Sequence, residues 1–480
     1  MLERPPLHRA AWTICLAILL TGCAMGPDYE RPDLILPEQW PADVSSAMTD
    51  SGDDAVTWWE RYDDLILDGL VREAVEHNLD VGLAAARVAE ARALLGFRRA
   101  EQLPMLDLQA EAQRGDEGRL SDSGPASSFE IAGALQYEVD LWGRLSRGSE
   151  SARASLLASA FSRDAVRLTV ITDVVTTYFD YRAARDQIAT TEDTISSREE
   201  ALELEQSRRS SGAATELALR QAEAELETSR AELPGLEAEA ARLTRVLAIL
   251  VGDGTRVLDG LSDLGEHGLP GWETVADLPE SVPSSLIERR PDIRAAESLL
   301  IAANADIGVA RASWFPRVDL AAVLGSGATA VGDLFTGPAT LWELTGGIIA
   351  PVLDFGRRRA DLESAEARRE IAELQYRATV RTAFQEVGDA WTLLNTAARR
   401  LEIREREVQA RIDVVDLADR RYTGGYTTYL EVLDARRALF QAQLSRTDAA
   451  RDRLVAVANL YKALGGGWYP DEEQRTLAEP

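Results

Sequence analysis

Two periods of apolar residues succeed one another along this chain, and the succession occurs twice. From Gly143 to about Ser207 the apolar positions (Leu156, Leu157, Ala160, Val166, Val170, Val174, Tyr178, Tyr181, Ile188) fall at helical spacing. From Arg357 to about Arg420 the same spacing runs through Ile371, Leu374, Phe384, Val387, Trp391, Leu394, Leu401 and Val408. No proline occurs between Pro125 and Pro234 or between Pro351 and Pro470, so nothing in either stretch forces a helix to break. About 60 residues at 1.5 Å each make a rod of about 90 Å, and helices of that length pack as coiled coils or bundles. Each rod runs into a short polar turn, Arg208-Arg209-Ser210-Ser211-Gly212 and Arg421-Tyr422-Thr423-Gly424-Gly425, and a return helix follows to about Gly252 and Gly465. Glycine supplies the positive φ that such a turn requires, so the chain is expected to form two helical hairpins.

Ahead of each rod the period changes to two. Between Phe129 and Leu141 the odd positions are apolar and the even ones small or charged, as in a strand with one oily and one wet face. Leu106 to Ala112 alternates with Asp107, Gln109 and Glu111; Val318, Leu320, Ala322 and Leu324 mark a third strand, and Trp342, Leu344, Ile348 and Val352 a fourth. Strands of about 10 residues suit a tilted barrel wall in a membrane. Four strands cannot close such a barrel, because the smallest have about eight and an open edge is not tolerated in lipid. A trimer would supply about twelve strands and twelve long helices. The expected fold is thus an α+β membrane protein in which a 12-stranded β-barrel is continued by a 12-helix tunnel. The wet strand faces carry Asp107, Glu111, Glu130, Glu138, Asp140, Asp319 and Glu343, which predicts an acidic lumen favouring cations. Two soluble hairpins in an α+β domain are the alternative, and they leave the oily strand face without a partner.

The doubling extends to single residues. Asp80, Gly96, Arg99, Ala100, Pro104, Asp107 and Leu108 recur 212 positions later as Asp292, Gly308, Arg311, Ala312, Pro316, Asp319 and Leu320. After a one-residue slip, Gly143 and Gly212 recur 213 positions later as Gly356 and Gly425. A unit of this length is far longer than a solenoid repeat of about 20–50 residues. It overrides the length prior of about three domains for such a chain. The boundaries expected are a first repeat over 61–250, a Gly/Pro-rich segment over 251–285, a second repeat over 286–466 and a tail over 467–480.

Composition narrows the function. Aromatic residues make up 6% of the chain, as befits long helices rather than a large compact core. A formal net charge of −28 argues against nucleic acid, which needs a basic face. Residues 1–22 have the form of a secretory signal, with Arg4 and Arg9 before an apolar run from Ala10 to Leu20 that is too short to span a bilayer. It ends in Leu20-Thr21-Gly22-Cys23, which resembles the lipobox of bacterial lipoproteins. That resemblance implies diacylglycerol and an N-acyl chain on Cys23, a lipid-anchored segment over 23–60 and, with Ala24 rather than Asp next, delivery to the outer membrane. The remaining cysteine, Cys15, lies in the signal, and His77 and His267 stand alone, so no disulfide, cysteine cluster, histidine metal site or triad is readable. No cofactor is expected beyond the lipid, and no enzyme motif is present.

Nearly the whole mature chain resembles the TolC family of outer-membrane channels, in the lipoprotein branch that serves tripartite efflux pumps. The residues that carry the likeness are Gly26-Pro27-Asp28-Tyr29-Glu30-Arg31-Pro32, Trp58-Trp59-Glu60-Arg61-Tyr62, Leu286-Ile287-Glu288-Arg289-Arg290-Pro291-Asp292-Ile293, Gly308-Val309-Ala310-Arg311-Ala312 and Phe315-Pro316. The family implies a homotrimeric barrel, a periplasmic helical tunnel closed at its tip, and an equatorial region to which about Val251 to Ser285 would contribute. It also implies a periplasmic membrane-fusion adaptor as partner and, through it, an inner-membrane pump, with the RND type favoured. Tyr422, Glu431 and Asp434 align with the family's gate. Arg208, Gly212, Arg421 and Gly425 fall on the turns expected to dock the adaptor. The family's gating arginine is replaced here by Thr427, and its partner acid by Ala218 beside Glu216. Closure must therefore rest on packing, on Tyr422 or on another bridge. The competing class is a lipid-anchored periplasmic coiled-coil scaffold without a pore.

Overall fold

The structure, a computed structural model, describes residues 25–34, 48–49, 57–115, 126–252, 269, 278–279, 289–336, 340–466, 468 and 472–478. Residues 1–22, Cys23, His267 and most of 251–285 lie outside them. Two short helices, α1 (Leu65–His77) and α2 (Leu79–Ala100), lead into strands β1 (Met105–Gly115) and β2 (Ala126–Val139). The first rod, α3 (Arg144–Ser210), returns as α4 (Glu216–Val251). The second copy repeats this with α5 (Pro291–Ala312), β3 (Arg317–Ala328), β4 (Thr340–Ile349), the rod α6 (Arg357–Thr423) and its return α7 (Tyr429–Ala463). A short α8 (Glu472–Ala478) follows. Among the described residues no helix is long and apolar enough to cross a membrane.

The four strands form one antiparallel sheet in the order β1-β2-β3-β4. Its hairpins have the same register: Met105 pairs with Gln136, and their counterparts 212 and 213 residues on, Arg317 and Ile349, pair likewise. β4 stops at Ile349, so Val352, expected within the strand, lies beyond it. Pro351, which has no N–H to give a ladder, stands between.

Proline does not punctuate every element. Pro234 sits inside α4, where it leaves the Arg230 carbonyl without its helical donor, a loss of about 3 kcal/mol or more in a helix interior. The neighbouring Leu233 and Leu236 pack on the main core, which offsets that loss by burial.

That core sits partway down the rods. Trp58 stacks on Tyr461 at 5.2 Å, Tyr62 lies 4.7 Å from Phe179, and the Tyr62 hydroxyl donates to the Leu454 carbonyl at 2.9 Å. Asp64 caps α1 through the amides of Ile66 and Leu67 and accepts from the Tyr178 hydroxyl at 2.6 Å. The Trp58–Tyr62 run thereby pins α3 to α7. Higher up, the 25–34 segment straps the two repeats together: Arg147 of α3 donates to Asp28, Asn304 of α5 to the Pro27 carbonyl, and Tyr29 and Arg31 to Glu297 of α5.

Channel wall and candidate gate

The sheet separates two chemistries by register. Glu111 stands opposite Glu130, Glu138 opposite Asp319, Ala134 between Asp107 and Val323, and Val323 opposite Glu343, so the six strand carboxylates share one face. On the other face Leu106, Leu135, Ala322 and Leu344 form one row across the sheet, and Leu108, Gly133, Leu324 and Trp342 another. Leu106, Leu108, Leu324, Trp342, Leu344 and Ile348 are exposed, an apolar face that folding of a single chain leaves uncovered.

The wet face is partly neutralised. Arg144 grips Glu138 with two hydrogen bonds of 3.0 and 2.8 Å, and Arg317 holds Asp319 at 2.9 Å. Thr345 donates to Glu343 at 2.8 Å. Asp140, expected on the strand, lies one residue past its end. It accepts from the Ser146 amide at 2.8 Å, serving the free N–H groups at the start of α3. Like charges directly opposite, as at Glu111 and Glu130, destabilise a sheet unless water or a cation screens them.

At the far end the two hairpins of one chain meet. Gly212 and Gly425 adopt left-handed φ values of 80° and 76° with open space around the missing Cβ, so the turn conformation rather than crowding calls for glycine. Both turns close alike, the Ala213 amide donating to the Arg208 carbonyl and the Tyr426 amide to that of Arg421. Tyr422 points inward, and its hydroxyl lies 2.9 Å from both oxygens of Glu205 on α3. Glu205 is 1% exposed. Arg208, expected on the docking surface, is turned the same way: its guanidinium lies 4.4 Å over the Tyr422 ring and 3.9 Å from Glu205. Burial, and then the hydrogen bond to the Glu205 carboxylate, push the Tyr422 phenol up to about 12, so it remains a donor at neutral pH.

Glu431 and Asp434 are exposed on the first turns of α7, Glu431 at 3.8 Å from Arg421 and Asp434 at 3.6 Å from Arg437. Ala218 is packed with Ala222, Tyr429 and Leu433 in the tip cluster. Thr427 keeps a buried hydroxyl without a partner among the described residues, and Glu216 binds Arg209 and Arg220, each at 3.0 Å, within its own hairpin. The bridge between hairpins is therefore Tyr422–Glu205. A second clasp joins them a few turns away, where Arg437 of α7 and Arg198 of α3 share the buried Glu225 of α4. Sequence reasoning missed Glu205, Glu225 and Arg198. Thr191, Arg198 and Glu205 are spaced by seven residues and all buried, so polar residues at coiled-coil spacing toward the tip were the available signal.

An open sheet with one oily and one carboxylate-bearing face that runs into two rod-like hairpins is one third of an outer-membrane channel: three chains close a 12-stranded barrel over a helical tunnel. The chain belongs to the outer membrane efflux protein family, whose model matches residues 70–253 and again residues 282–466. It is similar to the solvent efflux pump outer membrane protein SrpC of Pseudomonas putida, 33% identical over 94% of this chain and 97% of the relative. The probable outer membrane lipoprotein SilC of Salmonella typhimurium is 31% identical over 95% and 98%. The solved structure of the outer-membrane channel OprN superposes with a TM-score of 0.86 at 30% identity, covering 93% of this chain and all of that one. The protein is thus the outer-membrane channel of a tripartite efflux system, a class that works with a periplasmic adaptor and an inner-membrane pump and conducts rather than catalyses.

Proposed function

We propose that the channel rests closed at its periplasmic tip, held within each chain by the Tyr422–Glu205 bridge, and that an adaptor opens it by docking on the two turns. The observation that carries this reading is the Tyr422 hydroxyl 2.9 Å from both oxygens of a buried Glu205, where Thr427 and Ala218 supply no ionic tether. Arg421, Gly212 and Gly425 lie open at the turns, and Arg208 acts from behind them on the lock. Glu431 and Asp434, repeated by threefold symmetry, would place carboxylate rings at the constriction, whose mutual repulsion a cation relieves. An RND-type pump supplies cargo through the adaptor. Cys23 carries the acyl chains that anchor the segment after it, a reading supported by Leu20-Thr21-Gly22-Cys23.

A photo-crosslinking residue at Gly425 in intact cells is expected to capture a periplasmic adaptor, identified by mass spectrometry, with the pump recovered alongside. Recovery of cell-wall proteins alone would favour the poreless scaffold.

Asp107, Glu111, Glu130, Glu138, Asp319 and Glu343 line the proposed lumen. The triple variant Glu111→Gln, Glu130→Gln, Glu343→Gln is expected to lower the potassium-to-chloride permeability ratio at least ~2-fold, measured as a reversal potential across planar bilayers. An unchanged reversal potential would mean that these carboxylates only hydrate the wall.

A further inference from the structure

A cavity of about 220 Å³ lies beside the main core, between the Trp58–Tyr62 run, α3 and the tail that carries α8. Trp58, Trp59 and Trp468 give it aromatic walls, and Leu168 and Ile171 aliphatic ones. At Gly466, with a left-handed φ of 61°, the chain turns into the tail so close to Leu168 that a Cβ would strike that side chain. The cavity shares no residue with the strand carboxylates or the tip bridge.

Its side chains offer donors and no spare acid. Trp58 and Trp59 are 0% and 6% exposed, and neither indole N–H has an acceptor among the described residues. Asp164, the one acid among the described residues around the cavity, is already spent. Arg163 donates to one of its oxygens at 2.9 and 2.7 Å, while the other accepts from the Trp468 indole at 2.9 Å and from Gln474 at 2.6 Å. Four donations fill the four lone-pair positions of a carboxylate. One turn along α3, Arg167 is exposed and has no ion-pair partner among the described residues. A buried donor left unpaired costs about 1–3 kcal/mol, so two in succession call for an acceptor from outside the chain.

The internal repeat shows that packing a rod does not demand these residues. Adding 213 to Arg163, Asp164 and Arg167 gives Tyr376, Arg377 and Val380, and Tyr376 and Val380 are buried in the main core. Where the second copy fills the place with apolar bulk, the first keeps a cationic opening.

We infer that this cavity binds a small monocarboxylate with an apolar body, a role separate from conduction and gating. The carboxylate accepts from the two indole N–H groups and Arg167, and the body lies against Leu168 and Ile171. Hydrogen bonds to an ionised acceptor are roughly twice as strong as neutral ones, so an anion gains most from such donors. The volume suits a ligand smaller than the drug-sized molecules that fill pockets of about 300–1,000 Å³. An inorganic anion would leave the aliphatic wall uncovered. Each chain has its own site, and a bound ligand joins the run that pins α3 to α7 with the C-terminal tail.

The probe is benzoate, titrated by calorimetry into the full-length trimer in detergent. Saturable binding is expected, with benzamide, the same shape without the charge, at least ~10-fold weaker. Arg167→Gln, and Trp59→Phe, which removes the N–H and keeps a ring, are each expected to weaken benzoate at least ~10-fold. Arg167→Lys should recover most of the affinity. Because Arg167 is exposed, its variants report on binding even where Trp59→Phe disturbs the core. Benzoate affinity unchanged in Arg167→Gln, or benzamide bound as tightly as benzoate, would overturn the site. An absence of saturable binding would overturn it too, leaving water as the acceptor for both indoles.

Discussion

Tyr422→Phe is expected to open the channel at rest, raising its conductance in planar bilayers at least ~10-fold. The substitution keeps the ring beneath Arg208 and removes only the hydroxyl, so Glu205 remains buried without its donor. A hydrogen bond to a charged group contributes about 1.5–3 kcal/mol, and stranding the buried acceptor costs as much again or more. If the three tips open together, about 2 kcal/mol in each chain moves the closed–open balance by about 6 kcal/mol, roughly four orders of magnitude. Glu205→Gln keeps an acceptor but loses the charge and should leak less. The pH dependence has a definite sign. A phenol held above its usual range favours the closed state while it is protonated, so this contribution is complete below about pH 10 and is lost as pH rises through about 12. Resting conductance governed by Tyr422 should thus be flat from about pH 6 to 9. Wild-type conductance in an intact Tyr422→Phe trimer would remove the lock from the gate.

How much of this was legible in the sequence depends on the range of the interaction. The two rods and four strands follow from local periodicity, and the residues that set it, such as Leu156 and Val174 on α3 or Leu135 and Leu344 in the sheet, lie where that period puts them. The duplication implied two like hairpins, and their common register became visible only in the pairing of Met105 with Gln136 and of Arg317 with Ile349. Strand ends were less readable. Asp140 continues the alternation of β2 in sequence, yet the amides at the start of α3 draw it out of the ladder. Pro234 shows the reverse, a local breaker overruled by the packing of Leu233 and Leu236. The tip was least legible, because its bridge joins the last turns of two rods across 217 residues of sequence. Glu205 looks like one more solvated acid among the many on these rods, and Arg208 like a turn residue. Only their meeting with Tyr422 gives them a role.

Leu344→Arg is expected to abolish assembly in the outer membrane, whereas Thr345→Arg one residue away should leave it intact. Leu344 lies near the middle of β4 on the oily face with Leu106 and Leu135, while Thr345 shares the wet face with Glu343. An arginine toward lipid at mid-depth costs about 2–4 kcal/mol, and a trimeric barrel carries three, a total of about 6–12 kcal/mol. Against a native stability of about 5–15 kcal/mol that is enough to lose the assembled state. SDS-resistant trimer recovered from outer membranes should fall more than ~10-fold for Leu344→Arg. Thr345→Arg adds its charge beside Glu343 on the proposed lumen face, where water would solvate it, and should instead shift permeability toward anions. The contrast separates the two classes of function, because a poreless periplasmic scaffold would expose both faces of this sheet to water. In that case Leu344→Arg would improve solubility and the two variants would behave alike. Opposite outcomes at adjacent residues require the sheet to stand between lipid and water, which is the condition for a channel.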